Sequence, residues 1–330
     1  MTGPTGTAAE KPEWRIFQGD GRKRTAEIPP APPWRCFEGD GVGEVRAEGA
    51  GEPDESGYVI GDAEVDVINA ALHLRRPLLV TGHPGVGKTS LAEAIAHELD
   101  LGDVLRWPIN SRSALQDALY RYDAIGRLQE GSLANAEAKK APDIGNYVRL
   151  GPLGTALVPS VRPRVLLVDE LDKGDVDLPN DLLTVFEEGC FEIPELSRLP
   201  ESQPEVEVFT ADRGRRATVR RGFVRCSQFP VVVITSNGER DFPPAFRRRC
   251  LPLHLDDPRK DRLRKIIATH LDADMAAAAD DLIDTFLEQR ELKELSTDQL
   301  LNAVFLRAGG ARLAPDGLLR TVLHQLNPGG

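Results

Sequence analysis

From about residue 57 onward, short apolar runs alternate with stretches whose apolar residues recur every three or four positions. Pro77-Leu78-Leu79-Val80-Thr81 is a short continuous apolar run, the mark of a parallel strand covered on both faces. Val104–Ile109, Val165–Val168, Val231–Ile234 and the weaker Leu251–Leu255 repeat that mark. A helical stretch around Asp62–Leu74 precedes the first run, and Leu91, Ile95 and Leu99 line one helix face after it. Strands alternating with helices predict an α/β fold, a parallel sheet with helices on both sides. From Asp256 the pattern is purely helical. Its stripes are Leu263, Ile266, Ile267 and His270; Leu282, Ile283 and Phe286; and Leu300, Leu301, Val304 and Phe305. Ser296 is placed to cap the third of these helices and Gly309-Gly310 to end it, which predicts a small all-helical domain over residues 256–330.

Residues 1–56 show neither pattern. They are rich in Gly, Pro, Glu and Arg, too poor in aliphatic side chains to offset the entropy of ordering, and are expected to form a mostly disordered tail. The tail does contain a repeat: Pro12-Glu13-Trp14-Arg15-Ile16-Phe17-Gln18-Gly19-Asp20-Gly21 returns as Pro32-Pro33-Trp34-Arg35-Cys36-Phe37-Glu38-Gly39-Asp40-Gly41. Its four aromatic residues are the tail's only ones, so the repeat is expected to recruit a partner, the alternative being an arm docked on the folded domain.

Composition narrows the class. A formal charge of −11 argues against nucleic-acid binding driven by net charge, while leaving local basic patches open. No apolar run approaches the ~20 residues that cross a bilayer. No signal-peptide core is present at the N-terminus, so a cytoplasmic protein without membrane contact is expected. The four cysteines are far apart and make no Cys-x-x-Cys pair, which favours structural thiols over a zinc site.

The chemistry begins after the first strand. Gly82-His83-Pro84-Gly85-Val86-Gly87-Lys88-Thr89, followed by Ser90, fits G-x-x-x-x-G-K-[ST] between a strand and a helix. Glycines let backbone N–H groups curl around phosphate oxygens, and the following helix adds the positive end of its dipole. Lys88 is placed to reach the β- and γ-phosphates of ATP, and Thr89 to offer a hydroxyl to Mg²⁺. Val165-Leu166-Leu167-Val168-Asp169-Glu170 is the partner motif: a buried strand carrying Asp169 toward Mg²⁺, then Glu170 as general base for the attacking water. Val231–Ile234 leads through Thr235 and Ser236 to Asn237, which could orient that water. Arg247-Arg248-Arg249 follows, and Arg248 and Arg249 are the candidates for an arginine finger acting on a neighbouring subunit's phosphate.

In this order, and with a helical lid behind them, these motifs resemble an AAA+ ATPase, most closely the MoxR-like group related to dynein-type modules. Asp169-Glu170-Leu171-Asp172-Lys173 running on to Phe186-Glu187-Glu188-Gly189 is similar to the group's stretch after the metal-binding strand. Leu119-Tyr120-Arg121-Tyr122-Asp123 opens an insert similar to its helix-2 insert. Glu205–Cys226, turning at Asp212-Arg213-Gly214, resembles its hairpin before the sensor strand. The resemblance implies a core over residues 57–255 with inserts at about 118–160 and 190–228. The family's sensor-2 arginine has no match: Ser296-Thr297-Asp298 puts an acid there, and Arg307 is the alternative.

The resemblance further implies a homo-oligomeric ring, a hexamer, that hydrolyses ATP to remodel a client protein, in some members one with a von Willebrand A domain or in a bacterial defence system. Two other readings compete. A nucleic-acid-associated ATPase subunit of a restriction-type system would use the basic strip Arg213, Arg215, Arg216, Arg220, Arg221 and Arg225. A slow nucleotide-gated switch would leave Glu170 and the arginines without work.

Overall fold

A computed structural model describes residues 14–35, 37, 39, 58, 60–136, 142–290, 295–311 and 317–323. The central sheet has five strands: β1 (Leu78–Thr81), β2 (Leu105–Pro108), β3 (Val165–Asp169), β4 (Val231–Ser236) and β5 (Leu251–His254). Their order is β5-β1-β4-β3-β2 and every pairing is parallel. Alternation within each run divides the core. Leu78, Val80, Val165, Leu167 and Val233 face one apolar cluster, whereas Leu79, Leu166, Val168, Val232 and Ile234 face the other. Both faces are therefore covered, which is why these strands are apolar throughout rather than alternating.

The helices that matter for the site are α1 (Asp62–Leu74), α2 (Lys88–Glu98), α3 (Leu178–Glu188) and α4 (Pro244–Arg249) in the core. They are followed by α5 (Lys260–His270), α6 (Asp280–Arg290) and α7 (Thr297–Ala308). The last three have a core of their own around Leu263, Ile267, Ile283, Phe286, Leu300 and Val304, as the stripes predict. His270, expected in the first stripe, is instead exposed; so is Phe305 of the third (62%), where Ala303 takes the inward position. Ser296 caps α7 through a capping box with Gln299, as expected of it.

The two inserts do not stand apart. Strands Tyr120–Tyr122 and Val148–Leu150 from the first join Cys190–Glu192, Glu205–Phe209, Arg216–Arg220 and Phe223–Arg225 from the second in one six-stranded sheet. One parallel contact, Arg149 beside Phe209, links them. Val206, Val208, Ala217 and Val219 turn one face of this sheet onto the core cluster that contains Leu166 and Ile234, leaving the other face outward.

The disordered-tail expectation fails for the part of the tail that the structure describes. Asn69, fully buried in α1, accepts from the backbone N–H of Ile16 (2.6 Å) and Phe17 (2.9 Å) and donates to the Phe17 carbonyl (2.7 Å). Glu98 accepts from Gln18 and Asp20, Arg15 pairs with Asp62 and Asp66, and Phe17 is fully buried. The second copy docks elsewhere. Arg35 donates to the carbonyls of Arg75 (2.9 Å) and Phe186 (3.0 Å), its guanidinium lying against the rings of Phe37 and Phe229. Each copy contributes an arginine anchor and an inserted phenylalanine, and the apolar surface they cover belongs to the folded domain. An estimate made from the tail's own composition misses that. Truncating Phe17 to Ala is expected to cost roughly 3–5 kcal/mol, as fully buried phenylalanines do. A thermal melt should show a midpoint lower by several degrees, and an unchanged midpoint would mean the arm adds nothing to stability.

Candidate active site

The phosphate loop sits where β1 ends and α2 begins, and its backbone explains its glycines. Gly82, Gly85 and Gly87 all have positive φ (146°, 78° and 95°), a region closed to most side chains. At Gly85 a Cβ would also lie 2.3 Å from the Cβ of Ser296, so the start of α7 rests directly on the loop. Lys88, the first residue of α2, is buried and donates to the carbonyls of Gly82 (2.6 Å) and His83 (2.9 Å). Burial lowers its pKa, against the pull of Asp172, Glu170 and Asp169. A buried cation whose hydrogen bonds go only to neutral oxygens fits a place for an anion.

The other groups gather at the C-terminal ends of neighbouring strands, where open parallel sheets bind ligands. The Thr89 hydroxyl donates to Asp169 Oδ1 (3.2 Å). Thr235 Oγ1 donates to the same oxygen (2.6 Å) and accepts from the Glu170 N–H (2.8 Å), tying β4 to the end of β3. A hydroxyl beside a carboxylate makes the hard oxygen pair that Mg²⁺ takes. Glu170 sits in the left-handed region (φ 59°), and both of its carboxylate oxygens are engaged. Asn237 Nδ2 donates to one (3.2 Å) and Lys173 Nζ to the other (2.8 Å); that bond is the main reason the Lys173 pKa is raised.

Two residues of this constellation were not among the sequence candidates. Thr235 is one. Asp172 is the other: buried, it accepts from the N–H groups of Asn237 (2.9 Å) and Glu239 (3.1 Å) and so fixes the turn that presents the Asn237 side chain. The spacing Asp169-Glu170-Leu171-Asp172 carried a signal for it; a threonine late in a strand carried none. Tyr58 was also missed. Its ring lies 3.1 Å from where a Cβ on Gly87 would be, and its buried hydroxyl has no hydrogen-bond partner among the described residues.

Arg247, Arg248 and Arg249 are not brought to this site. All three are exposed at the end of α4, immediately before β5. Since Leu251 is level with Leu78, they lie at the N-terminal end of β1, a strand's length from the loop that follows Thr81. Arg249 donates to Glu187 Oε1 (2.7 Å), a carboxylate that also lies 3.6 Å from Arg35. Arg307, the alternative for sensor 2, is held inside the lid by Asp281 at 2.6 and 2.7 Å.

A strand–loop–helix cradle with this acid pair and asparagine fits a nucleotide. The profile of the AAA domain (dynein-related subfamily) matches residues 77–250, just over half of the chain. The chain belongs to this AAA family. It accordingly has an AAA+ P-loop core with a parallel sheet, followed by a helical lid. Among solved structures it is similar to NtrX from Brucella abortus in complex with ADP (15% identity, TM-score 0.41, 81% of this chain and 55% of that one). It is also similar to a protein from Cytophaga hutchinsonii assigned as an ATPase (16% identity, TM-score 0.34, 64% of this chain and 48% of that one). The chain thus spans about half the length of both. No curated protein matches it. None of the helices among the described residues is long and apolar enough to cross a membrane.

Proposed function

We propose that this AAA+ protein is an ATPase and a MoxR-like remodeller, working as a homo-oligomeric ring, a hexamer, whose hydrolytic sites lie between subunits. The observation that supports this most is the separation within one chain: phosphate loop, Asp169, Glu170 and Asn237 at one end of the sheet, the arginines of α4 at the other. A guanidinium so placed reaches the phosphate of a neighbour more readily than that of its own subunit. In this reading Lys88 and the loop N–H groups of residues 82–90 bind the phosphates, Glu170 takes a proton from the attacking water, and Asn237 orients it. Thr89 and Asp169 hold Mg²⁺, which when bound neutralises phosphate charge.

The work of the cycle would fall on the surfaces nearest the nucleotide, the lid resting on Gly85 and the six-stranded sheet built on the core. By the MoxR resemblance the client is a protein, with a von Willebrand A domain as the first candidate, and the setting a cytoplasmic one such as a bacterial defence system. Assembly is the test. Light scattering is expected to show a ring favoured by ATP, with specific activity rising with protein concentration through the assembly range. Full activity from a strictly monomeric protein would overturn the proposal.

A further inference from the structure

The outward face of the six-stranded sheet carries a row that runs straight across four strands. Arg121 is in register with Arg149, Arg149 with Phe209, and Phe209 with Arg216. With strands about 4.8 Å apart, the row is about 14 Å long. The guanidiniums of Arg149 and Arg216 lie 4.9 and 4.1 Å from the Phe209 ring centre, so the ring holds both extended. Their hydrogen bonds go to neutral oxygens: Arg149 to the Thr210 carbonyl, Arg216 to the Glu207 carbonyl and the Asn146 side chain. Neither pairs with a carboxylate among the described residues, in a chain with 52 acidic side chains to choose from. Arg121 and Arg149 also face each other directly; Arg121 is bonded to Asp117 (3.1 Å), which leaves Arg149 as the member of the pair without a carboxylate.

At Arg121 and Arg149 the row opens into a cleft of about 560 Å³, the volume of a small-molecule site. Arg112 brings a further guanidinium and Arg106 one that pairs with Glu93; Asp117, bonded to Arg121, is the only acid of the lining among the described residues. The walls add Trp107, Pro108 and Pro152 as apolar surface, and Asn110 and Ser113 as hydrogen-bonding groups.

We propose that this row and cleft form a binding site for single-stranded nucleic acid. The cleft takes one nucleotide, its base against the apolar wall and within reach of the amide and hydroxyl. The guanidiniums of the row take the phosphates that follow. An acidic polypeptide would use the same cations and leave the apolar wall and amide without a counterpart. The strongly negative chain confines the attraction to this strip, and binding is accordingly steeply weakened by salt.

The test uses the full-length protein in saturating ADP, so that the phosphate loop is filled, and a fluorescein-labelled single-stranded DNA of about 16 nucleotides, read by anisotropy. Saturable binding is expected. Arg149→Gln with Arg216→Gln is expected to weaken it roughly tenfold or more and to flatten its salt dependence by about one to two phosphate contacts. Arg225→Gln, the loss of one such charge on the same sheet outside the row, is expected to do far less than Arg149→Gln or Arg216→Gln alone. Melting midpoints of all variants are compared to exclude misfolding. No saturable binding, an equal loss on Arg225→Gln, or displacement by polyglutamate as effective as by unlabelled DNA would each overturn the proposal.

Discussion

Replacing Glu170 with Gln is expected to leave ATP bound and to slow its hydrolysis by roughly 10²–10⁴-fold, the worth of a positioned general base. Lys88→Ala is expected to lose the nucleotide itself. The two residues sit within one candidate site and, in the proposed function, act on different steps. A glutamine in place of Glu170 keeps the side chain's shape and an oxygen to accept from Asn237, so the resting arrangement at 3.2 Å survives. What disappears is the charge that, in the proposed function, takes a proton from water as the phosphorus–oxygen bond forms. Lys88, by contrast, is a buried cation resting on two carbonyls, 2.6 and 2.9 Å away, and its charge waits on an anion. Removing it costs the nucleotide-free protein little, because its burial already disfavours the charged form. The bound phosphates then lack their compensating cation. Titration with a fluorescent nucleotide, the rise in melting temperature on adding ATP, and steady-state phosphate release separate the two effects. Turnover by Glu170→Gln at the parent rate would remove Glu170 from the chemistry.

These residues are legible in the sequence. Each reports a local demand. Gly82, Gly85 and Gly87 are needed by positive φ angles in one short loop, and Asp169 ends, and Glu170 follows, a strand apolar enough to be covered on both faces. Contacts made between distant segments were not legible. Thr235 looks like any threonine in a strand, and its bonds to Asp169 and Glu170 exist only because β4 lies beside β3. The inserts, one read as a helix-2 insert and one as a hairpin, gave no sign of a common sheet, because the Arg149–Phe209 contact that unites them leaves no periodicity. The arm was misread for a related reason: Asn69 and Glu98, which satisfy its backbone, lie on helices 50 residues and more away. Local pattern carries local conformation, and docking depends on a surface that the docking segment does not contain.

Arg249→Ala is expected to bind ATP normally and to lose turnover by roughly 10³–10⁵-fold, as loss of an arginine finger does. Within one subunit Arg249 has no route to its own phosphate loop, which lies beyond the far end of β1. It is paired instead with Glu187, and both side chains are about half exposed. Such a surface pair is worth at most about 1 kcal/mol, so a phosphate on a neighbouring subunit can draw the guanidinium away. Arg248 is the alternative finger on the same turn, and Arg248→Ala is measured beside it. The decisive experiment mixes two inactive proteins. A Lys88→Ala subunit keeps its finger and lacks a working loop; an Arg249→Ala subunit keeps its loop and lacks the finger. Where the two meet in the productive order, the interface contains one intact member of each kind, and activity is expected to return in the mixture alone. Recovery requires both the trans geometry and assembly, since a cis-acting arginine or a monomer gains nothing from mixing. If the mixture stays inactive while light scattering shows that the two variants co-assemble, Arg249 acts within its own subunit or not at all.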